Sequence, residues 1–351
     1  MKKIVGILAA AAVLATSVFA ADFSAGVRLE GSLFNYAGNT ISLFKEAHVN
    51  EFYHAPISFA VSDDQAGGQL KLSNVKGDNA VTADAWSIWF KPVDILKVTV
   101  GRWSTNLNQE HIAWCNTDSG IEKDGYALTL ATAGFSWDIF LASGNDNWFF
   151  TNTSANGVTT TAISEFYTKV QYGADFGTVN AFLNAANNFK DFRFGAGFNF
   201  GNTLPVGLWI NAIGTYAGND FQRIRAEADV STNFGSIGWE LFLAGGYDMK
   251  AGTQNFNDTF TGVEGWHVGG TYYRAAPAAF LGFYTRFNIP ADALNFYVEI
   301  KDSDVLASSF SMTVKPGFTT NIGCCALEMA VEAGISNSFS INVPVNFKVM
   351  F

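Results

Sequence analysis

Charged side chains are scarce in this chain, at 15% of its 351 residues, against about 25% in an ordinary soluble domain. Lys and Arg number 21 against 31 Asp and Glu, so the formal charge is −10. That balance excludes a basic face for nucleic acid. The three cysteines, Cys115, Cys324 and Cys325, make no disulfide framework and show no metal-ligand spacing. The seven prolines mark no linker, so residues 21–351 read as a single domain. His48, His54, His111 and His267 lie far apart, and no G-x-S-x-G element accompanies them. Glu110-His111 reads as a solvated loop pair, so the expectation is no enzyme and no cofactor. Asp302-Ser303-Asp304 and Asn145-Asp146-Asn147 lack the EF-hand spacing, and no metal site is assigned. A membrane-spanning helix needs roughly 20 apolar residues, which no segment supplies.

What the chain does have is aromatic and small: 33 Phe, 11 Tyr, 9 Trp and 34 Gly. Its start reads as a secretory signal. Lys2 and Lys3 precede the apolar run Ile4 to Ala15, and Val18-Phe19-Ala20 offers small residues at −3 and −1. Residues 1–20 are therefore a cleaved leader, and their removal takes two lysines and leaves −12.

From Asp22 onward, alternation with period two dominates and predicts strands. Phe23, Ala25, Val27, Leu29 and Leu33 share one face of the first segment, opposite Ser24, Arg28, Glu30 and Ser32. Tight turns fall at Lys91-Pro92-Val93-Asp94, Thr132-Ala133-Gly134, Asp175-Phe176-Gly177 and Asn233-Phe234-Gly235. Longer polar loops alternate with them near Trp103–Asp124, Gly144–Ser164 and Asp248–Glu264. Short turns at one rim and long loops at the other predict a transmembrane antiparallel up-and-down β-barrel. Nineteen candidate segments reduce to eighteen strands when Trp266–Tyr273 and Ala279–Phe287 merge into one strand bent near Pro277. The count is sixteen if the weakly patterned Glu51–Val75 contributes none. One echo recurs: Trp137-Asp138-Ile139-Phe140-Leu141-Ala142 and Trp239-Glu240-Leu241-Phe242-Leu243-Ala244.

The charges fix the faces. Between Gln222 and Ser231, Ile224, Ala226, Ala228 and Val230 lie opposite Arg223, Arg225, Glu227 and Asp229. A one-residue slip would push the charged set into lipid, at roughly 2–4 kcal/mol per arginine near the midplane. Lys97, Asp138, Lys169, Arg193, Glu240, Glu299, Lys301, Glu328 and Glu332 sort the same way. Together with the four charges of that strand they are the expected pore-lining set. Phe34, Tyr36, Phe90, Trp103, Tyr126, Phe135, Tyr216 and Tyr247 fit interfacial girdles.

A Lys-Lys leader ending at Ala20, a first strand directly behind it and the final Val343-Pro344-Val345-Asn346-Phe347-Lys348-Val349-Met350-Phe351 resemble Gram-negative outer-membrane porins. Val314-Lys315-Pro316-Gly317-Phe318 before the last hairpin is similar to spirochaete-type porin-like proteins. The resemblance implies that Val345, Phe347, Val349 and Phe351 form the signal read by the barrel-assembly machinery. It also implies a loop folded into the lumen, here Trp103–Asp124, although the enteric Pro-Glu-Phe-Gly-Gly signature is absent. The expected function is a water-filled pore for passive diffusion of small polar solutes or ions. The protein would be integral to the outer membrane, in contact with its lipid, with both termini periplasmic and oligomers allowed. The alternative is a structural or adhesive surface protein whose barrel anchors extracellular loops.

Overall fold

The computed structural model describes residues 20–24, 26–45, 57–74, 81–106, 120–143, 163–186, 189–200, 206–249, 278–302, 305–306 and 311–350. The leader up to Phe19, the Trp266–Tyr273 segment, Cys115 and Phe351 lie outside them.

Among the described residues, twenty-one strand segments, all paired antiparallel, form one sheet. The first four are β1 (Ala20–Ser24), β2 (Gly26–Ala37), β3 (Thr40–Lys45) and β4 (Ile57–Ser62). Next come β5 (Ala66–Asn74), β6 (Val81–Val93), β7 (Leu96–Asn106), β8 (Gly120–Thr132) and β9 (Phe135–Ser143). The middle of the wall is β10 (Ile163–Ala174), β11 (Gly177–Ala186), β12 (Asp191–Asn199), β13 (Gly207–Ala217), β14 (Asp220–Phe234) and β15 (Ile237–Asp248). It ends with β16 (Ala278–Ala291), β17 (Leu294–Asp302), β18 (Met312–Ile322), β19 (Cys325–Ala330), β20 (Glu332–Ile335) and β21 (Phe339–Met350).

Three positions in the wall hold two segments each, so the segments occupy the eighteen positions expected. β1 and β2 follow one another along β4 and β3, and β19 and β20 both lie between β18 and β21. The β19–β20 break has a chemical cause. Val331 donates to the Pro316 carbonyl, but Pro316 has no N–H to return the bond. β2 pairs with β21 from Gly26↔Met350 to Tyr36↔Ile341, which closes the barrel.

The turns set this register. At Gly38-Asn39 and Gly218-Asn219 both central residues have positive φ, 57° and 64° in the first and 59° and 70° in the second. Two-residue turns of that kind match the twist of the strands they join. The turns expected at Thr132–Gly134 and Asp175–Gly177 are present, while those expected at Lys91–Asp94 and Asn233–Gly235 fall later, at Asp94-Ile95 and Gly235-Ser236, because β6 runs to Val93 and β14 to Phe234; all four lie at the rim that carries the chain ends.

One expected loop is shorter than predicted. Polarity placed a loop over Trp103–Asp124, but pairing continues through Trp103↔Lys123 to Asn106↔Gly120. Glu122 and Asp124 thus belong to β8, because the backbone ladder with β7 continues whatever the local polarity.

The wall is inside out relative to a soluble sheet. Ile41, Leu43, Ile88, Phe90, Tyr126, Leu128, Phe194, Ile224 and Phe296 are exposed. Glu165, Asn184, Asp191, Arg193, Glu227, Glu299 and Lys301 are buried. Several rings share the buried face. Phe182 and Tyr297 lie over the glycines opposite them, Gly195 and Gly317, where a Cβ would stand 2.8 Å and 2.6 Å from the ring. These rings run along the wall instead of across the interior.

Candidate functional site

Cross-strand pairing places residues of the same parity in rows, and those rows build the inner wall. The longest charged row crosses the second half of the barrel. Glu240 faces Arg286, Arg286 faces Glu299 and Glu299 faces Lys315. The pairs Gly317↔Ala330 and Val314↔Ala333 then set Lys315 against Glu332. Charge alternates along the whole row. Arg286 Nη1 lies 2.8 Å from Glu299 Oε1, and Lys315 Nζ lies 3.8 Å from Glu299 Oε2 and 3.1 Å from Glu328 Oε1. Tyr297 donates its hydroxyl to Glu328, and the Arg286 guanidinium sits 4.2 Å above the Tyr297 ring.

A second row crosses the first half. Lys97 faces Thr129, Thr129 faces Asp138 and Asp138 faces Lys169. Thr129 donates to the Asp138 carboxylate. Lys97 also lies 4.8 Å above the Trp89 ring.

The repeated hexapeptide marks the same device in both rows. Trp137 Nε1 donates to Thr168 Oγ1 at 2.8 Å, and Thr168 donates to the Asp138 carbonyl at 3.0 Å. Trp239 Nε1 donates to Thr285 Oγ1 at 2.9 Å, and Thr285 donates to the Glu240 carbonyl at 2.8 Å. Phe140 and Phe242 are fully buried against Tyr167 and Tyr284. The likeness thus extends into the following strands, as Tyr167-Thr168-Lys169 and Tyr284-Thr285-Arg286.

Toward the other rim, buried Asn184 donates to Glu165 Oε1 at 2.9 Å and accepts from Arg193 at 3.2 and 3.1 Å. Asn211 of β13 donates to Glu227 Oε2 of β14 at 3.1 Å. Asp229 lies between Trp209 and Phe242, and Lys301 faces Tyr284.

Of the thirteen charges expected to line a pore, Glu240, Glu299, Glu328 and Glu332 meet in the first row, and Lys97, Asp138 and Lys169 in the second. Arg193 joins Glu165. Arg223, Glu227 and Asp229 share the buried face of β14, and Arg225 occupies the same register there. Sequence reasoning missed Arg286, Lys315, Glu165 and Asn184. The signal was present in their parity. Arg286 follows Gly282 and Tyr284 two by two, and Lys315 stands opposite Glu299.

No protein-family model and no curated protein matches the chain. Solved structures do match. Pseudomonas aeruginosa OpdL superposes with a TM-score of 0.61 at 10% identity, over 94% of this chain and 98% of that one. The same organism's OccK2 (OpdF) gives 0.60 at 10% identity, over 94% and 97%. Its OpdQ gives 0.57 at 9% identity, over 94% and 97%. The fold is the same antiparallel up-and-down barrel as in these structures. It covers nearly the whole chain, and the charged rows lie on its inner wall.

Proposed function

We propose that the chain is an outer-membrane porin through which small polar solutes or ions diffuse passively. The observation that carries this reading is the inverted wall, with exposed aliphatic and aromatic side chains on one face and rows of alternating charge on the other. Lipid is the natural solvent for the first face, and a wet lumen is the natural setting for the second. The thirteen charges named from the sequence, with Arg286 and Lys315, line the route. OccK2 has been solved in complex with glucuronate and OpdK with vanillate, and a similar size of polar solute is proposed here.

The remaining features follow in the same reading. Residues 1–20 are the export signal. Val345, Phe347, Val349 and Phe351 address the chain to the assembly machinery. Both termini are periplasmic, so Cys324, exposed in its turn, faces the periplasm. The spirochaete-type flavour of Val314 to Phe318 belongs here as a proposal about ancestry. Refolded protein in a planar bilayer tests the pore. Discrete conductance steps are expected, and a folded, heat-modifiable barrel that gives none would overturn the reading.

A further inference from the structure

Two lysines stand side by side on the inner wall, near the rim that carries the chain ends. β6 and β7 pair regularly as far as Phe90↔Val98, and Lys91 and Lys97 are the next residues on the two strands. Ile88 and Phe90 are exposed on the outer face, so Trp89 and Lys91 point inward. Lys97 shares the inner face with buried Thr99, which faces Trp89. Like charges set against one another weaken a strand pair. The ladder shifts just beyond them, at Pro92, which has no N–H to donate.

The lysines converge on one ring. Lys97 Nζ lies 4.8 Å and Lys91 Nζ 5.8 Å from the centre of the Trp89 indole. Gly67 faces Trp89 from β5, and a Cβ there would stand 2.6 Å from the ring, so the indole lies along the wall. An aromatic face attracts a cation but leaves its charge intact. Among the described residues neither ammonium group has a carboxylate partner, Asp94 in the intervening turn included.

The rest of the row does not neutralise them. Asp138 is held by the Thr129 hydroxyl and faces Lys169. Lys91, Lys97 and Lys169 thus stand against Asp138 alone, an excess of two positive charges. In the other charged row Arg286 and Lys315 each lie against a glutamate.

We infer that Lys91 and Lys97 bind a phosphate dianion, free or as the monoester of a small solute, at this end of the lumen. The inference rests on the reading of the polar face as a wet lumen. A phosphate monoester carries about −1.5 to −2 near neutral pH, which matches the excess. The type of base also favours a tetrahedral oxyanion. Arginine offers a planar fork fitted to a carboxylate, whereas each lysine is a compact charge whose three donors can turn to separate oxygens. The shared indole already confines both ammonium groups, so less freedom is lost when an anion joins them. The pair gives an anion a foothold in a chain whose formal charge is −10.

Calorimetry on the refolded full-length barrel in an uncharged detergent tests the site by binding, so its outcome is separate from the conductance test of the pore. Inorganic phosphate at fixed ionic strength should bind saturably. Lys91→Met and Lys97→Met remove the ammonium group and keep an unbranched stem. Each should weaken phosphate binding at least about tenfold, the lower end for a hydrogen bond to a charged group. Lys190→Met, at an exposed lysine of the opposite rim, should leave it unchanged. Acetate should compete at least about tenfold more weakly than phosphate, since it lacks the second charge and the third oxygen. Glycerol phosphate should also bind, and the tighter of the two phosphates identifies the natural source. Heat-modifiable mobility on gels confirms that each variant is folded. The inference is overturned if the folded wild type gives no saturable heat with phosphate. It is equally overturned if both Met variants bind phosphate as the wild type does, or if acetate competes as well as phosphate.

Discussion

The two copies of the Trp-acid-x-Phe-x-Ala segment have one skeleton and opposite electrostatic surroundings. In both, an indole N–H, a threonine hydroxyl and a backbone carbonyl form a chain from one strand to the next. In both, a phenylalanine packs on a tyrosine at the following register step. Around Asp138 the neighbours in the row are Thr129, Lys97 and Lys169, and the strand beyond Lys169 offers Phe182. Around Glu240 the row continues through Arg286, Glu299, Lys315 and Glu332, with Asp229 on the diagonal. The wall's shape is thus templated by uncharged hydrogen bonds and ring packing. Charge is then varied on that template without disturbing it. One third of the way round an eighteen-position barrel, the same scaffold presents a cation-rich patch in one place and an acid-rich one in the other.

The sharpest way to break the comparison is to remove an acid from each row. Glu299→Leu takes the 2.8 Å carboxylate partner from Arg286 in a buried setting, while Lys315 keeps Glu328, and should cost about 3–5 kcal/mol. Asp138 is less buried, and Asp138→Leu should cost about 1.5–3 kcal/mol, the range of a hydrogen bond to a charged group. Urea unfolding of the refolded barrel measures both, and equal costs would show that the rows are not energetically distinct. Arginine on the outer face tests what the copies share. Ile139→Arg and Leu241→Arg should each cost about 2–4 kcal/mol in lipid vesicles, and a large difference between them would mean that only one faces the membrane. The hydroxyl link is a finer probe. Thr168→Val and Thr285→Val should each lose about 0.5–1.5 kcal/mol, with matching shifts in tryptophan emission.

The smallest effect lies outside both copies, in the turn between β4 and β5. Asp63 Oδ1 accepts from the backbone N–H groups of Gln65 and Ala66, each at 2.7 Å. These bonds hold its carboxyl below the usual value. A lowered carboxylate pKa adds stability above the unfolded value, which is lost as pH falls through the folded one. Amide exchange at Gln65 and Ala66 should therefore quicken locally on acidification. In Asp63→Ala it should already be fast at neutral pH.

Much of this was legible before any coordinates. Alternation and turn spacing carried the barrel and its eighteen positions, because a two-sided wall in lipid tolerates no charge on one face. The inward charges of β14 and β17 were readable for the same reason. Partners were not readable, since a row across five strands depends on register between segments far apart in the chain. Lys91 belongs to a turn by its local sequence, and only the pairing of β5, β6 and β7 sets it beside Trp89 and Lys97. Loop limits were misjudged near Glu122 and Asp124, where the β7–β8 ladder runs on past the end of the apolar alternation.

The seam between β2 and β21 has a consequence for how the molecule is made. Ser32 bonds the side chain of Asn342, 310 residues away, and Pro344 stands opposite Ser32 where the register shifts. On that side β2 has no permanent partner until β21 has been synthesised. Its open edge is a template for pairing with any passing chain, and the closing contact has nearly the greatest sequence separation the polypeptide allows. Sealing is therefore the final event of assembly, and a chain cut short before β21 remains an unclosed sheet with two adhesive margins.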